Sequence, residues 1–275
     1  MFSPECAREG PATRRGQERP VRVEIWSDIN CPWCYIGKAR FERALERFPH
    51  REAVEVVHRS FELDPRAPHE ARPVVPLIAA KYGIGLEQAE AAEQRIADNA
   101  EAEGLAYLRS GRDAANSFDM HRLLHFAAEH GRQAELLDAL YRANFAEERS
   151  AFAPGRLAEL AVEAGLDGAE AARVLADPDA YAEAVREDEA TASAMGATGV
   201  PFFVLDRRLG VSGAQPVETF TAALEQAWDS RPVVPLVAVG TGENGGADGG
   251  ADSGADSGSA TGEVCGPEGC AVPQR

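Results

Sequence analysis

Cys31-Pro32-Trp33-Cys34 follows the apolar run Val21-Arg22-Val23-Glu24-Ile25-Trp26 and opens a helical pattern. Two thiols three positions apart at the first turn of a helix can close a small ring and open it again. Pro32 suits a first helical position, where its missing N–H is not needed and its fixed φ is already helical. Cys31 then lies at the helix N-terminus, where unpaired N–H groups and the dipole stabilise a thiolate. Downstream, Phe41, Leu45 and Phe48 continue one apolar face, and Cys34 falls in line with it. The expectation is an exposed attacking sulfur at Cys31 and a shielded resolving sulfur at Cys34. Half of a zinc site is the competing reading. Such a site takes four ligands, and no second Cys-x-x-Cys or His pair stands nearby in sequence. The pattern therefore points to thiol–disulfide chemistry.

The chain has 275 residues and a net charge of −17. That length suffices for one large domain, or for a domain with a big insertion, and for a sizeable core. The acidic balance speaks against nucleic-acid and anionic-membrane partners. No apolar run reaches the length of a membrane span. The segment 1–20 holds four arginines but no apolar h-region, so it reads as a disordered leader rather than a secretory signal. The expected compartment is the cytoplasm, where paired cysteines are more often catalytic or redox-sensing than structural. Cys31 with Cys34 and Cys265 with Cys270 are two such pairs; Cys6, alone in the leader, reads as incidental.

Taken in order, Val21 to Ser27 reads as a buried strand. The helix from the cysteine motif runs to Phe48 and stops at Pro49, and Val54-Glu55-Val56-Val57-His58 reads as a second strand. Strand, helix, strand at this length is a βαβ unit with a parallel pair, and ligands of open α/β sheets bind beyond the carboxyl ends of the strands. Strand signals vanish from about Pro73 to Met195. Apolar faces at Phe118, Met120, Leu123 and Leu124, at Leu136, Leu137, Leu140, Tyr141 and Phe145, and at Leu157 and Leu160 mark helices, as does the Ala- and Glu-rich stretch Leu86 to Glu103. Pro201-Phe202-Phe203-Val204-Leu205 restores a strand, Asp206 to Gly210 a turn, and Val211 a short partner strand. Pro216 opens a last helix with Val217, Phe220, Leu224 and Trp228 on one face. The predicted organisation is a leader over 1–20, a β-α-β half over 21–72, a helical insertion subdomain over 73–195, a β-β-α half over 196–235, and a disordered tail over 236–275.

That order resembles an α/β thioredoxin-like fold with a large all-helical insertion. Ser27-Asp28-Ile29-Asn30-Cys31-Pro32-Trp33-Cys34-Tyr35-Ile36-Gly37-Lys38 resembles the active-site segment of FrnE-like members of the DsbA family of thiol–disulfide oxidoreductases. Phe61-Glu62-Leu63-Asp64-Pro65, Asn116-Ser117-Phe118-Asp119-Met120-His121-Arg122-Leu123, Gly199-Val200-Pro201-Phe202-Phe203 and Ser212-Gly213-Ala214-Gln215-Pro216 resemble its later segments in the same order. The likeness implies that Cys31 attacks a disulfide and Cys34 resolves the mixed disulfide. It implies that Pro201 is a cis proline facing the cysteines, and that Val200 offers backbone to an extended substrate beside Trp33. It places His121 and Asn116 near the site. Partners implied are disulfide-bearing proteins or small thiols, with a reductant such as thioredoxin or glutathione; no cofactor is implied. Trp33 carries no charge to stabilise the Cys31 thiolate, so a weaker oxidant than the strongly oxidising family members is expected.

Other readings stay open at this stage. Glutathione-assisted small-molecule isomerases of the polyketide type share the fold but carry serine where this chain has Cys31. A thiol-based metal-binding or chaperone-like module is a further alternative. His121, His125 and Glu129 fall at i, i+4 and i+8, yet no Glu follows His121 as a His-Glu-x-x-His site requires; the expectation is no metal. The tail from Gly240 to Gly262 is Gly, Ala, Asp and Ser, a composition that cannot order itself. It ends in Cys265-Gly266-Pro267-Glu268-Gly269-Cys270, read as an auxiliary redox pair within reach of the Cys31 site.

Overall fold

A computed structural model of the chain describes residues 19–231. The leader with Cys6 and the tail with Cys265 and Cys270 lie outside the described residues. The elements are β1 (Val21–Ser27), α1 (Pro32–Arg47), β2 (Val54–Ser60), β3 (Arg72–Pro73), α2 (Val74–Tyr82), α3 (Leu86–Ala102), β4 (Asp113–Ala114), α4 (Phe118–Glu129), α5 (Gln133–Phe145), α6 (Arg156–Glu163), α7 (Gly168–Ala176), α8 (Ala182–Ala194), β5 (Phe202–Leu205), β6 (Leu209–Ser212) and α9 (Val217–Asp229). The main sheet has the order β2-β1-β5-β6. β1 and β2 are parallel, from Val21 opposite Val54 to Ser27 opposite Ser60, as a βαβ unit requires. β5 runs antiparallel to β1 with Trp26 opposite Phe202, and β5 and β6 form the expected hairpin. This is the expected thioredoxin-like order, with helices inserted between its two halves.

Alternation along β1 feeds two layers. Val21, Val23 and Ile25 pack with Phe41, Phe48, Phe203, Phe220 and Leu224 beneath α1 and α9. Phe203 and Phe220 meet at 4.6 Å in a T-shaped pair, an arrangement worth about 0.5–1.5 kcal/mol beyond burial. On the opposite face, Trp26 packs with Val204 and with Ala192 of α8. Its indole N–H donates to the Asp188 carbonyl at 2.8 Å, so the ring is buried without an orphaned donor. Glu24, on the same face, is sealed but bonds Arg59 at 2.7 Å and Arg207 at 3.0 Å.

The helical block has its own core, and that core is continuous with the start of α1. Ile29, Cys31, Cys34 and Ile36 share it with Met120, Leu123, Leu124, Leu137, Tyr141 and Phe145. The block therefore forms the floor of the cysteine motif as well as packing on itself.

Two local features refine the sequence reading. Strand signals do not vanish entirely, because Arg72–Pro73 and Asp113–Ala114 pair antiparallel and pin the loop before α2 to the loop before α4. The helix α2 lies inside the predicted helical insertion but carries no apolar stripe of its own, and it opens on Val74-Val75-Pro76. Proline is tolerated in a first helical turn, where its N–H would find no partner.

Candidate active site

Backbone register brings the site together. Because Trp26 pairs with Phe202, Pro201 lies beside the carboxyl end of β1, where the chain turns into α1. The Val200–Pro201 peptide is cis, as the resemblance implied. The Pro201 carbonyl accepts from Gly213 N–H at 2.8 Å, and Gly213 takes φ +81°, a conformation glycine reaches freely. On the other side, a Cβ at Gly37 would stand 3.0 Å from Pro201 Cγ and 3.3 Å from Ala214 Cβ. The bare backbone of Gly37 is what lets α1 meet this loop.

Cys31 is the N-cap of α1 and Pro32 its first residue. The Cys31 carbonyl accepts from Cys34 N–H at 3.0 Å, and its own N–H donates to the Asp28 carbonyl at 3.1 Å. Both thiols are free. The expected exposed sulfur at Cys31 is corrected here: Cys31 is 4% exposed and Cys34 1%. The overhanging segment at Val200, whose carbonyl accepts from Cys31 Sγ at 3.7 Å, supplies part of the cover. The difference between the two thiols lies in their surroundings. Burial, and then the adjacent Cys31 thiol, push the Cys34 thiol well above the ordinary range, against a backbone hydrogen bond from Asp28. Trp33 between them is 39% exposed and presents an apolar ring at the mouth.

The loop 28–30 is clamped from three directions. Asp28 accepts from Leu63 N–H at 2.7 Å and from Asn30 N–H at 3.1 Å. Asn30 donates to the Ala115 carbonyl at 2.8 Å, and Asn144 of α5 donates to the Ile29 carbonyl at 2.8 Å. Burial works to raise the Asp28 pKa. His121 beside it and the two amides overcome that and hold the carboxyl below its ordinary value. Tyr141 of α5 reaches the same floor and bonds Ser27; burial first, then the Cys34 charge, push its phenol well up.

His121 is buried and faces Asp28, with Nε2 to Oδ1 at 3.6 Å. Asn116 holds a turn: it donates to Glu62 at 3.2 Å and accepts from Phe118 N–H at 2.9 Å. It thereby anchors the 61–65 segment whose Leu63 amide reaches Asp28. The helix face of His121, His125 and Glu129 is divided among separate partners. His125 lies 3.1 Å from Asp188 and 3.2 Å from Ser60 Oγ, and Glu129 accepts from Tyr181. Sequence reasoning passed over Asp28 as a site residue, though it stood inside the quoted motif. It also assigned Tyr141 to an apolar helix face, where a phenol with a core partner looks like any other core residue.

The family model of the DSBA-like thioredoxin domain matches residues 22–225. The structure is similar to that of a probable DsbA oxidoreductase from Streptomyces coelicolor, at 55% identity and a TM-score of 0.76, covering 92% of this chain and 100% of that one. It also resembles the cytosolic disulfide reductase DsbM from Pseudomonas aeruginosa at 20% identity and a TM-score of 0.52, covering 76% of this chain and 98% of that one, a likeness of fold. An uncharacterized protein of Bacillus subtilis is 28% identical over 161 residues, which is 54% of this chain and 68% of that protein. Among the described residues, no helix is long and apolar enough to cross a membrane.

Proposed function

The chain belongs to the family of DSBA-like thioredoxin domains, and from that premise we propose that it is a cytoplasmic dithiol–disulfide oxidoreductase. Its substrates are disulfide-bearing proteins or small disulfides. The observation that carries the reading is the pair of free thiols at the first turn of α1, one under the Val200 carbonyl and the other sealed in the core. The Cys31 thiolate attacks one substrate sulfur. A protein–substrate disulfide forms, the substrate S–S bond breaks, and the departing sulfur leaves as a thiolate. Cys34 then attacks Cys31 Sγ, closes the Cys31–Cys34 disulfide and expels the second substrate thiolate. Two electrons pass from the dithiol to the substrate, and an external thiol of the glutathione or thioredoxin class restores the dithiol. Trp33 and the backbone at Val200 are the substrate contacts in this reading, and Pro201 shapes the loop that presents Val200. Relay through Cys265 and Cys270 belongs to the same proposal.

Insulin reduction with an external dithiol tests it. Cys31→Ser is expected to abolish turnover, and Cys34→Ser to accumulate mixed disulfides detectable by mass spectrometry. An active Cys31→Ser protein together with an empty trap at Cys34→Ser would overturn the assignment. Cys265→Ser combined with Cys270→Ser is expected to slow steady-state turnover while the single-turnover reaction at Cys31 continues; unchanged turnover removes the tail from the scheme.

A further inference from the structure

The loop over Cys31 is held to α1 at three heights. At the start of the helix, Cys31 Sγ donates to the Val200 carbonyl at 3.7 Å. Higher up, the bare backbone of Gly37 lets Pro201 and Ala214 close in. Arg40 comes three residues later, at a neighbouring position on the same helix face. Its Nη1 donates to the Ala214 carbonyl at 2.7 Å. These points are linked along the chain. Ala214 follows Gly213, the Gly213 N–H donates to the Pro201 carbonyl at 2.8 Å, and Pro201 follows Val200. Gln215 Nε2 donates to the Ser212 carbonyl at 2.8 Å, which folds 212–215 on itself without tying it to a neighbour. Among the described residues, the Arg40 bond is the one hydrogen bond between α1 and the 212–216 segment.

Arg40 is itself aimed. Its Nε donates to Glu103 Oε1 at 2.7 Å, and Glu103 is the C-cap of α3, at the end of an inserted helix. Arg43 grips the same residue, at 2.6 Å to the carboxylate and 2.9 Å to the carbonyl, but goes no further. Burial works to raise the Glu103 pKa; hydrogen bonds from Arg40 and then Arg43 prevail and hold it below its ordinary value. The guanidinium plane of Arg40 is thus fixed by acceptors on two separate elements, a division that a single ammonium cannot match. With side chains only 17% and 12% exposed, Arg40 and Glu103 are not the loose surface pair whose net worth is near zero.

We propose that Arg40, oriented by Glu103, is a positioning residue that makes the site selective for polypeptide disulfides. This rests on the thiol–disulfide exchange proposed above and on Val200 as a backbone contact for substrate. The exchange step is unchanged, and no proton or electron passes through Arg40. What Arg40 sets is the height of the Val200 backbone above Cys31 Sγ. An extended polypeptide that pairs with this backbone carries its own sulfur to a fixed place. A displacement of about 1 Å in such a seat costs up to about a hundredfold in rate. A small disulfide with no peptide group makes no such pairing and needs only a path to Cys31. Through Glu103, the helical insertion bears on which disulfides are attacked, besides forming the floor of the site.

The test is made in a Cys34→Ser background, where the mixed disulfide at Cys31 persists. Rapid acid quench and mass spectrometry give the rate constant for its formation with two probes, insulin and bis(hydroxyethyl) disulfide, which has no peptide group. Arg40→Met removes every donor and keeps an unbranched chain. It should slow the insulin reaction by about tenfold, the rate equivalent of one hydrogen bond to a charged group, and should not slow the small-disulfide reaction. Arg43→Met is the control for the ion-pair network. It loses the same carboxylate but leaves the Ala214 carbonyl bonded to Arg40, so insulin should react at the background rate. An equal fall with both probes, a loss in Arg43→Met matching that in Arg40→Met, or no loss with insulin overturns the proposal. Should Arg40→Met fail to fold, Arg40→Lys keeps the charge without the fork and answers to the same outcomes. A background protein that forms no mixed disulfide with either probe overturns the oxidoreductase reading, and this assignment with it.

Discussion

Gly37 is where a single missing methyl group decides how the site closes. It lies inside α1, where an alanine would gain up to about 1 kcal/mol of helix propensity. Against that, its Cβ position lies 3.0 Å from Pro201 Cγ and 3.4 Å from Ala214 Cα, a ring and a backbone atom with little room to yield. Gly37→Leu removes the ambiguity of sign. Overpacking there should destabilise by about 1–3 kcal/mol and lift the Val200–Pro201 loop away from Cys31. Urea unfolding and insulin reduction measure the two effects, and a variant equal to wild type in both would refute the close-approach argument. The same residues show what a sequence can disclose about a site. Cys31, Pro32 and Cys34 announce their chemistry by spacing, because three positions and a helix start are local facts. The cover over Cys31 is not local, since it depends on the Trp26–Phe202 register and hence on residues far along the chain. The pairing of Asp28 with His121 is hidden for the same reason: an acid in a loop and a histidine on a distant helix carry no mark of one another until the helical block shares its core with the cysteine motif.

The edge of the sheet shows how one element stabilises another. β2 is an outer strand, and an unprotected edge offers unpaired backbone to any passing strand. Gln133, the first residue of α5, closes part of that edge. Its Oε1 accepts from His58 N–H at 3.3 Å and its Nε2 donates to the His58 carbonyl at 3.0 Å, so one amide side chain imitates a neighbouring strand. Gln133→Ala should cost roughly 1–2 kcal/mol, the range for two net hydrogen bonds of ordinary strength. It should also speed amide exchange at His58 relative to the wild type, while Val57, whose backbone faces β1, keeps its protection. Unchanged exchange at His58 would mean that the side chain does not guard the strand. Elements of this kind divide cleanly by legibility. β1, β2, β5 and β6 and the helices with long apolar faces were readable because periodicity records which side is buried. The helix α2 was not, since its Pro76 and paired valines carry extended propensity. Only Val74 of its residues is fully buried, so no strong apolar stripe betrays it. The two-residue strands at Arg72–Pro73 and Asp113–Ala114 are below the length at which alternation exists at all.

Acid should destabilise the molecule through two groups on neighbouring strands, His58 on the outer strand β2 and Glu24 on β1. His58 is partly buried on β2, and its Nδ1 is enclosed without a hydrogen-bond partner. Burial first, and then the charge of Lys38, depress its pKa from 6.5 to about 3. An unfolded chain takes a proton at His58 once the pH drops below about 6.5, whereas the folded chain refuses it until about 3. Stability is therefore complete above the unfolded value and declines through that window, by up to about 1.4 kcal/mol per pH unit. Glu24 acts later. Burial would raise its pKa, but hydrogen bonds from Arg207 and Arg59 prevail and hold it below 4.5. Its contribution is present above the unfolded value and is lost as the pH falls through the lower folded value. Glu24→Gln should cost about 2 kcal/mol near neutrality. That is less than the roughly 3–5 kcal/mol of a fully enclosed pair, because the Arg207 side chain is 61% exposed and keeps its access to water. A net charge of −17 complicates the deeper acid limb, since protonating carboxylates relieves self-repulsion. Few carboxylates titrate between about pH 6.5 and 5, and the other five histidines are common to wild type and variant, so a comparison across that interval reads the part due to His58. Urea unfolding should show wild-type stability falling more steeply than that of His58→Val, a β-branched residue suited to the strand. Equal slopes in the two proteins would place the acid sensitivity elsewhere.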